Sequence, residues 1–222
     1  MSSDILPHDP DTAQQQARRQ LRARLRQQRR DLAPQRQRQA SRGLTRQLAR
    51  LPGLTRARHI AAYVASDGEI DPAPFLARMA RRGCRVWLPV LAPRPMPADI
   101  GMHFARRPVT AAPRPGRRAP GWRRNRHGIA EPRNRTRRAA WTLDFLLLPL
   151  VGFDAGGQRL GMGGGFYDRL LADFGRRPRR PRLLGLAHDI QQVGALPVAA
   201  WDQPVDGVVT GTRVIMRNTS PR

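Results

Sequence analysis

Residues 159 to 169 read RLGMGGGFYDR, with Gly161, Gly163, Gly164 and Gly165 followed at once by Phe166, Tyr167, Asp168 and Arg169. A glycine turn between a strand and a helix is a setting in which phosphate is held. Backbone N–H groups converge there, small residues permit close approach, and the helix N-terminus adds partial positive charge. The spacing is neither a Walker sequence nor a GxGxxG dinucleotide fingerprint, so the glycines alone also fit a tight strand-to-helix turn. Asp168 lies just beyond the turn, where a carboxylate can hold Mg²⁺ while phosphate oxygens and water fill the other positions. Phe166 and Tyr167 can stack on a flat ring, or pack into the core as one face of a helix. Two further polar clusters could converge on the turn. In SDGEID, Asp67-Gly68 is a turn pair, Glu69 is the functional candidate, and Asp71 before Pro72 reads as a helix cap. In WDQPVD, Asp202 is either a second carboxylate at the site or a simple turn aspartate.

These groups need elements to position them. Gln14 to Leu32 reads as a helix, with Ala17, Leu21, Leu25 and Leu32 at three- to four-residue spacing, and a second helix runs from Pro34 to a stop at Pro52-Gly53. Together they predict a basic helical hairpin. His59 to Ala65 and Arg85 to Leu91 read as strands around a helix from Pro74 to Arg82, which makes a βαβ unit with parallel pairing. Met102 to Ala105 is the next strand. LDFLLLPLVGFD has the continuous apolar character of a central strand covered on both faces. The glycine turn is expected directly after it, then a helix over FYDRLLADF and strands at Arg182 to His188 and Gly207 to Thr210. The predicted fold is α/β: three layers, a mainly parallel sheet flanked by helices, and an N-terminal helical hairpin. In such a sheet ligands bind beyond the carboxyl ends of the strands, so Glu69 and the glycine turn can meet there.

The chain of 222 residues fits one domain over residues 13–213, with a flexible N-terminal tail at 1–12 and a C-terminal tail at 214–222. Residues 106–138 are mostly Arg, Pro and Gly, and read as a largely mobile insertion with one ordered island, NRHGIAEP. The net charge is +25 and there is no lysine, so all 41 basic residues are arginine and any phosphate-binding cation must be one. This composition predicts weak non-specific polyanion binding at low salt and no specific nucleic-acid partner. A basic nucleic-acid-associated protein that keeps the fold without the activity is the alternative reading. No apolar run is long enough to span a bilayer, and MSSDILPHDPDT lacks a signal-peptide pattern, so a cytoplasmic monomer without a membrane partner is expected. The single cysteine, Cys84, reads as a small core residue.

The segments ARRQLRARLRQQRRDLAPQ, VASDGEID, RVWLPV, NRHGIAEP, LLLPLVGFDAGGQRLGMGGGFYDRLL and GLAHDIQQVGALPVAAWDQPVDGVVT occur in this order. Together, over about residues 17 to 212, they resemble the 5-formyltetrahydrofolate cyclo-ligase (5,10-methenyltetrahydrofolate synthetase) family. The resemblance implies ATP and Mg²⁺ as cofactors and 5-formyltetrahydrofolate, including polyglutamylated forms, as substrate. ATP would phosphorylate the formyl oxygen, N10 would attack the activated carbon, and loss of phosphate would leave 5,10-methenyltetrahydrofolate. It implies nucleotide contacts from Arg18, Arg22, Arg159, Leu160, Gly161, Met162, Gly163, Gly164, Gly165, Phe166 and Tyr167. Folate contacts are implied for Val64, Glu69, His127 and the segment Met162 to Phe166. Catalytic roles fall to Arg22, Glu69 and Tyr167, and metal ligation to Asp168 and Asp202. Arg18 replaces the family's usual lysine, and Phe166 a frequent tyrosine.

Overall fold

The computed structural model describes residues 10–92, 102–113, 117–174, 177, 179–199 and 202–217. Two helices come first, α1 (Pro10–Arg30) and α2 (Pro34–Arg50), with Pro34 at the first turn of α2. The expected tail at 1–12 is therefore shortened, because helix α1 already includes residues 10–12. The helices follow one another as anticipated but pack mainly against different partners. Helix α2 lies along α3 (Ala73–Arg81), whereas α1 meets the 3-10 turn Asp189–Gln191. The reason is the make-up of their inner faces. Helix α2 buries Leu44 and Leu48, while α1 buries Arg18, Leu25 and Arg29, and its Ala17 stays exposed.

The main sheet contains β1 (His59–Ala61), β2 (Arg85–Leu91), β3 (Met102–Arg106), β6 (Arg137–Arg138), β7 (Phe145–Pro149), β10 (Arg182–Leu186), β11 (Gly207–Val209) and β12 (Val214–Met216). Its order is β12-β11-β10-β7-β1-β2-β3-β6. Strands β11, β10, β7, β1 and β2 pair in parallel, and β12, β3 and β6 join antiparallel at the two edges. Strand β7 shows why its sequence is apolar throughout. Phe145 and Leu147 belong to the core beneath α2 and α3, and Leu146 and Leu148 belong to the core beneath α4 (Phe166–Phe174). This is the period-two alternation of a strand with both faces covered, so the layers are helix, sheet, helix. Cys84 is buried just before β2, and burial pushes its thiol up to about 11, which keeps it protonated and inert at neutral pH.

Several segments differ from the expectation. Strand β1 ends at Ala61 rather than Ala65, because the chain leaves the sheet to carry Val64 and the Asp67-Gly68 turn over its carboxyl edge. Val214–Met216 is a strand, so the C-terminal segment begins with ordered chain paired to β11 rather than a tail. The Arg- and Pro-rich stretch carries more regular structure among its described residues than the one island expected. It forms a hairpin of β4 (Trp122–Arg124) and β5 (Ala130–Pro132), followed by edge strand β6. Its degenerate composition conceals a small core in which Trp122 and Ala130 pack on Leu88. The lone acidic residue, Glu131, is buried and accepts hydrogen bonds from Arg123 Nε at 2.7 Å and Leu91 N at 3.2 Å.

Candidate active site

The carboxyl ends of β1, β7 and β10 share one edge, and the polar segments gather there. The glycine turn does not follow β7 directly. A ribbon of β8 (Gly152–Phe153) and β9 (Arg159–Leu160) intervenes, and Asp154 fixes its bend by accepting from Gly156 N at 2.9 Å and Gln158 N at 3.1 Å. The turn then enters α4 at Phe166. Gly163 (φ +92°) and Gly165 (φ +66°) hold left-handed backbone that any other residue adopts only at a cost. The first amides of α4 have no partner within the helix, and they add partial positive charge beside the turn.

Two cavities meet at the turn. The smaller, about 520 Å³, is lined by Gln14, Arg18, Arg19 and Arg22 of α1, together with Asp168, Arg169 and Gln203. The larger, about 720 Å³, lies between the Ser66 to Glu69 turn, the tip of the β4–β5 hairpin and the start of α4. Gly161, Gly163, Gly165 and Asp168 line both. The glycine turn is thus a shared wall, and it is thin where Gly161, Gly163 and Gly165 carry no side chain between the two cavities.

In the smaller cavity Arg22 donates from Nε to Gly161 O at 2.8 Å. Its terminal nitrogens carry no hydrogen bond among the described residues, so a cationic fork is left for an anion. Burial, and Arg18 one turn away, lower its pKa, yet the guanidinium remains charged at any physiological pH. Arg18 is engaged differently. Nη1 and Nη2 donate to Asp202 Oδ2 at 2.5 Å and Oδ1 at 2.9 Å, and Nη1 also donates to Pro197 O at 2.6 Å. Burial raises the Asp202 pKa, but Arg18 and the Ala199 N–H outweigh it and hold the carboxyl below its ordinary value.

The two candidate metal ligands therefore differ. Both oxygens of Asp202 are taken by Arg18, which leaves it poorly suited to a cation. Asp168 gives only Oδ1 to Arg159, and its side chain is 28% exposed. Its other oxygen has no hydrogen-bond partner among the described residues, a donor set that fits one contact to a hard cation. No three His, Cys, Asp or Glu side chains cluster there among the described residues, so phosphate and water would supply the remaining ligands.

In the larger cavity Glu69 accepts from Ser66 N at 3.0 Å, and its side chain is only 10% exposed. Burial raises its pKa, against the pull of Arg29 and the Ser66 N–H in the other direction. Burial raises the Tyr167 pKa strongly, with the Glu69 charge adding to the effect, so its phenol is a hydrogen-bond donor at neutral pH. Val64 packs against the Leu88–Trp122–Ala130 cluster and lines the wall. His127 stands exposed at the hairpin tip, its backbone N–H held by Asn125 Oδ1 at 2.9 Å. Two guanidinium groups stand over the Phe166 ring, Arg169 at 5.2 Å and Arg126 at 5.9 Å from its centre. Arg159 is buried, donates to Gln203 O at 2.9 Å, and holds Asp168. Leu160 lines neither cavity, because its side chain packs with Leu25 and Val151 in a separate cluster.

The sequence reading passed over Tyr63, Met102, Asn125 and Ile129 in the larger cavity, and it missed the arginines around Asp67. Asp67 (φ +49°) accepts from Arg26 Nε at 2.8 Å, Arg29 Nη2 at 2.9 Å and Arg30 Nη1 at 3.3 Å. A signal was present for Arg29. Residues 18, 22, 25 and 29 recur at four-, three- and four-residue spacing, which puts them on the stripe of α1 that faces the site.

Comparison with known proteins bears on the family and the fold. The sequence profile of the 5-formyltetrahydrofolate cyclo-ligase family matches residues 14–211. The 5-formyltetrahydrofolate cyclo-ligase of Escherichia coli K12 is 37% identical over 192 residues, which cover 86% of this chain and 98% of that protein. That of Haemophilus influenzae is 34% identical over 198 residues, covering 88% and 98%. The solved structure of Aquifex aeolicus 5,10-methenyltetrahydrofolate synthetase superposes with a TM-score of 0.73 at 27% identity, over 92% of this chain and 95% of that one. The Mycoplasma pneumoniae 5,10-methenyltetrahydrofolate synthetase shares the fold, with a TM-score of 0.64 at 20% identity, over 87% and 98%. By profile, sequence and fold, the chain belongs to the 5-formyltetrahydrofolate cyclo-ligase family.

Proposed function

We propose that the protein catalyses the ATP- and Mg²⁺-dependent cyclisation of 5-formyltetrahydrofolate to 5,10-methenyltetrahydrofolate, with nucleotide in the smaller cavity and folate in the larger. The observation that carries this reading is the glycine turn shared by both. A formyl oxygen is a poor nucleophile and a poor leaving group, so the protein must bring it in line with the γ-phosphate and stabilise the transferring group. The oxygen attacks phosphorus and ADP leaves. N10 then bonds to the formyl carbon and loses its proton, and the C–O bond breaks to release phosphate.

The chain's own residues suit these steps. The terminal nitrogens of Arg22, without a hydrogen bond among the described residues, and the first amides of α4 meet the phosphates, while Arg18, clamped on Asp202, shapes the cavity wall. Asp168 is the residue that would hold the magnesium ion, whose chemistry is to neutralise charge on the phosphate oxygens. Glu69 accepts hydrogen bonds from ring N–H donors of the pterin, and protonated Tyr167 donates beside it. The same reading assigns the reaction to a single cytoplasmic domain, from helix α1 to strand β12, acting as a monomer. The arginine-rich exterior contributes only weak polyanion binding. No helix among the described residues is long and apolar enough to cross a membrane.

The test is the growth of methenyltetrahydrofolate absorbance on mixing protein with 5-formyltetrahydrofolate, Mg²⁺ and ATP. An ATP-dependent rise is expected. Folded protein that binds nucleotide yet gives no rise would overturn the assignment.

A further inference from the structure

Arg29 is the largest fully buried side chain among the described residues, with no accessible surface. A buried guanidinium must have its charge met and its N–H donors satisfied, or it costs several kcal/mol. Here all three nitrogens are engaged, two of them on Asp67. Nε donates to Asp67 O at 2.8 Å, Nη1 to the carboxyl end of β7 at Leu150 O (3.2 Å), and Nη2 to Asp67 Oδ2 at 2.9 Å. Nη2 also stands 3.8 Å from Glu69 Oε1 and 3.8 Å from Met162 Sδ in the glycine turn. One side chain therefore touches α1, the Asp67 to Glu69 turn, the central strand and the wall between the cavities.

We propose that Arg29 is a positioning residue of the ring closure, holding the Glu69 carboxylate in place against the folate cavity from behind. The proposal rests on the role given to Glu69 above. Three features tie it to Glu69 rather than to folding at large. Glu69 Oε2 is occupied by Ser66, and Oε1 is the oxygen next to Arg29, so the carboxylate's orientation is set from both ends. The backbone between Asp67 and Glu69 is pressed against α1 so closely that a Cβ on Gly68 (φ +75°) would lie 2.8 Å from Arg29 O. From the other side His188 Nε2 meets Gly68 O at 3.1 Å, which locks the turn between helix and sheet.

Arg29 is also the one cation within ion-pair distance of Glu69 among the described residues. The other titratable groups around it are Asp67 on its own turn, Tyr63 after β1, Tyr167 on α4 and His188 after β10. Burial disfavours the Glu69 charge, and Arg29 is the largest influence acting in its favour. Without Arg29 the carboxyl would take up a proton at higher pH and lose its acceptor character toward ring N–H groups.

The chain contains only two glutamates, Glu69 and Glu131, so the side-chain carboxyl signals of protein labelled with ¹³C-glutamate are two, assigned with Glu131→Gln. The full-length Arg29→Gln protein should show the Glu69 titration midpoint raised by about one pH unit or more, with Arg29→Lys between it and wild type. KM for 5-formyltetrahydrofolate should rise about tenfold in Arg29→Gln and less in Arg29→Lys, while KM for ATP stays within about twofold. If Arg29→Gln does not fold, as judged by its circular dichroism melt, the Arg29→Lys titration decides. An unchanged Glu69 midpoint in a folded variant, or equal rises in both KM values, would overturn the proposal. The titration needs no turnover. Wild-type protein that fails to cyclise folate while its Arg29 variants still shift Glu69 would remove the assigned activity and leave the ion pair standing.

Discussion

Replacing Gly163 by alanine isolates what the glycine turn contributes. At φ +92° the new residue would sit in left-handed backbone, but there is room for its methyl group, since the nearest atom would be Arg22 Cζ at 3.7 Å. The penalty is therefore conformational, about 1–2 kcal/mol. If the turn relaxes to escape it, its amides swing away from the phosphates and kcat/KM for ATP falls about 5- to 30-fold. If the surroundings hold the turn in place, the same energy appears as a drop in Tm of about 2–8 °C, with activity preserved. Gly161 is the matched control, because it does not have left-handed backbone and a Cβ there would meet only Arg159 Nη1, at 3.6 Å. Gly161→Ala should stay within about twofold in kcat/KM. The assay is initial rate against ATP at saturating folate, with melting curves for each protein. Equal losses at 161 and 163 would refute the argument, since ligand clearance rather than backbone hand would then be what demands glycine.

Asp168→Asn should raise the Mg²⁺ concentration needed for half-maximal turnover at least about tenfold and lower Tm less than Asp202→Asn does, because only one of its oxygens is bonded, to Arg159, and an amide oxygen can still accept there. Asp202→Asn should act on stability first. It strips a bidentate partner from buried Arg18, at a cost of about 3 kcal/mol, and thermal melts at neutral pH should read this as the largest Tm loss of the carboxylate variants. The folded-state pKa of Asp202 is depressed, so the stabilisation is present above the unfolded carboxyl value and lost as pH falls through the folded one. The Tm gap between wild type and Asp202→Asn should accordingly close on acidification from neutral pH to below 3.8, the ordinary value. A gap that widened would contradict the ion pair. Glu69→Gln should raise the folate KM about tenfold or more and leave the ATP KM within about twofold, measured by initial rates with each substrate varied in turn.

The sheet was legible wherever apolar periodicity was clean. Strand β2 and helix α4 have the expected boundaries, and the central strand β7 was recognisable from its unbroken apolar run. Two kinds of feature were not legible. The hairpin at Trp122–Arg124 and Ala130–Pro132 is held by one tryptophan, one alanine and one buried glutamate, too few apolar positions to stand out among so many arginines. The inner face of α1 was hidden because two of its buried residues are Arg18 and Arg29, and charged positions count as solvent-facing in any pattern of apolar spacing. In the site the same limit applies. Motif and resemblance brought Glu69, Asp168 and the glycines together correctly around one edge, but only coordinates show that Asp202 is spent on Arg18 and that Asp168 shares itself with Arg159. A pairing between carboxylate and guanidinium across 184 residues leaves no local signature.

The account stands or falls on phosphate reaching the formyl oxygen across the glycine turn. The most direct measurement is to supply 5-formyltetrahydrofolate carrying ¹⁸O in its formyl group with Mg²⁺ and ATP, and to follow the label by mass spectrometry of the inorganic phosphate released. Transfer across the shared wall predicts one ¹⁸O in each phosphate, in step with the methenyl product formed. Methenyl product accompanied by unlabelled phosphate would contradict it, because the formyl oxygen would then have left by a route that never joined the two cavities.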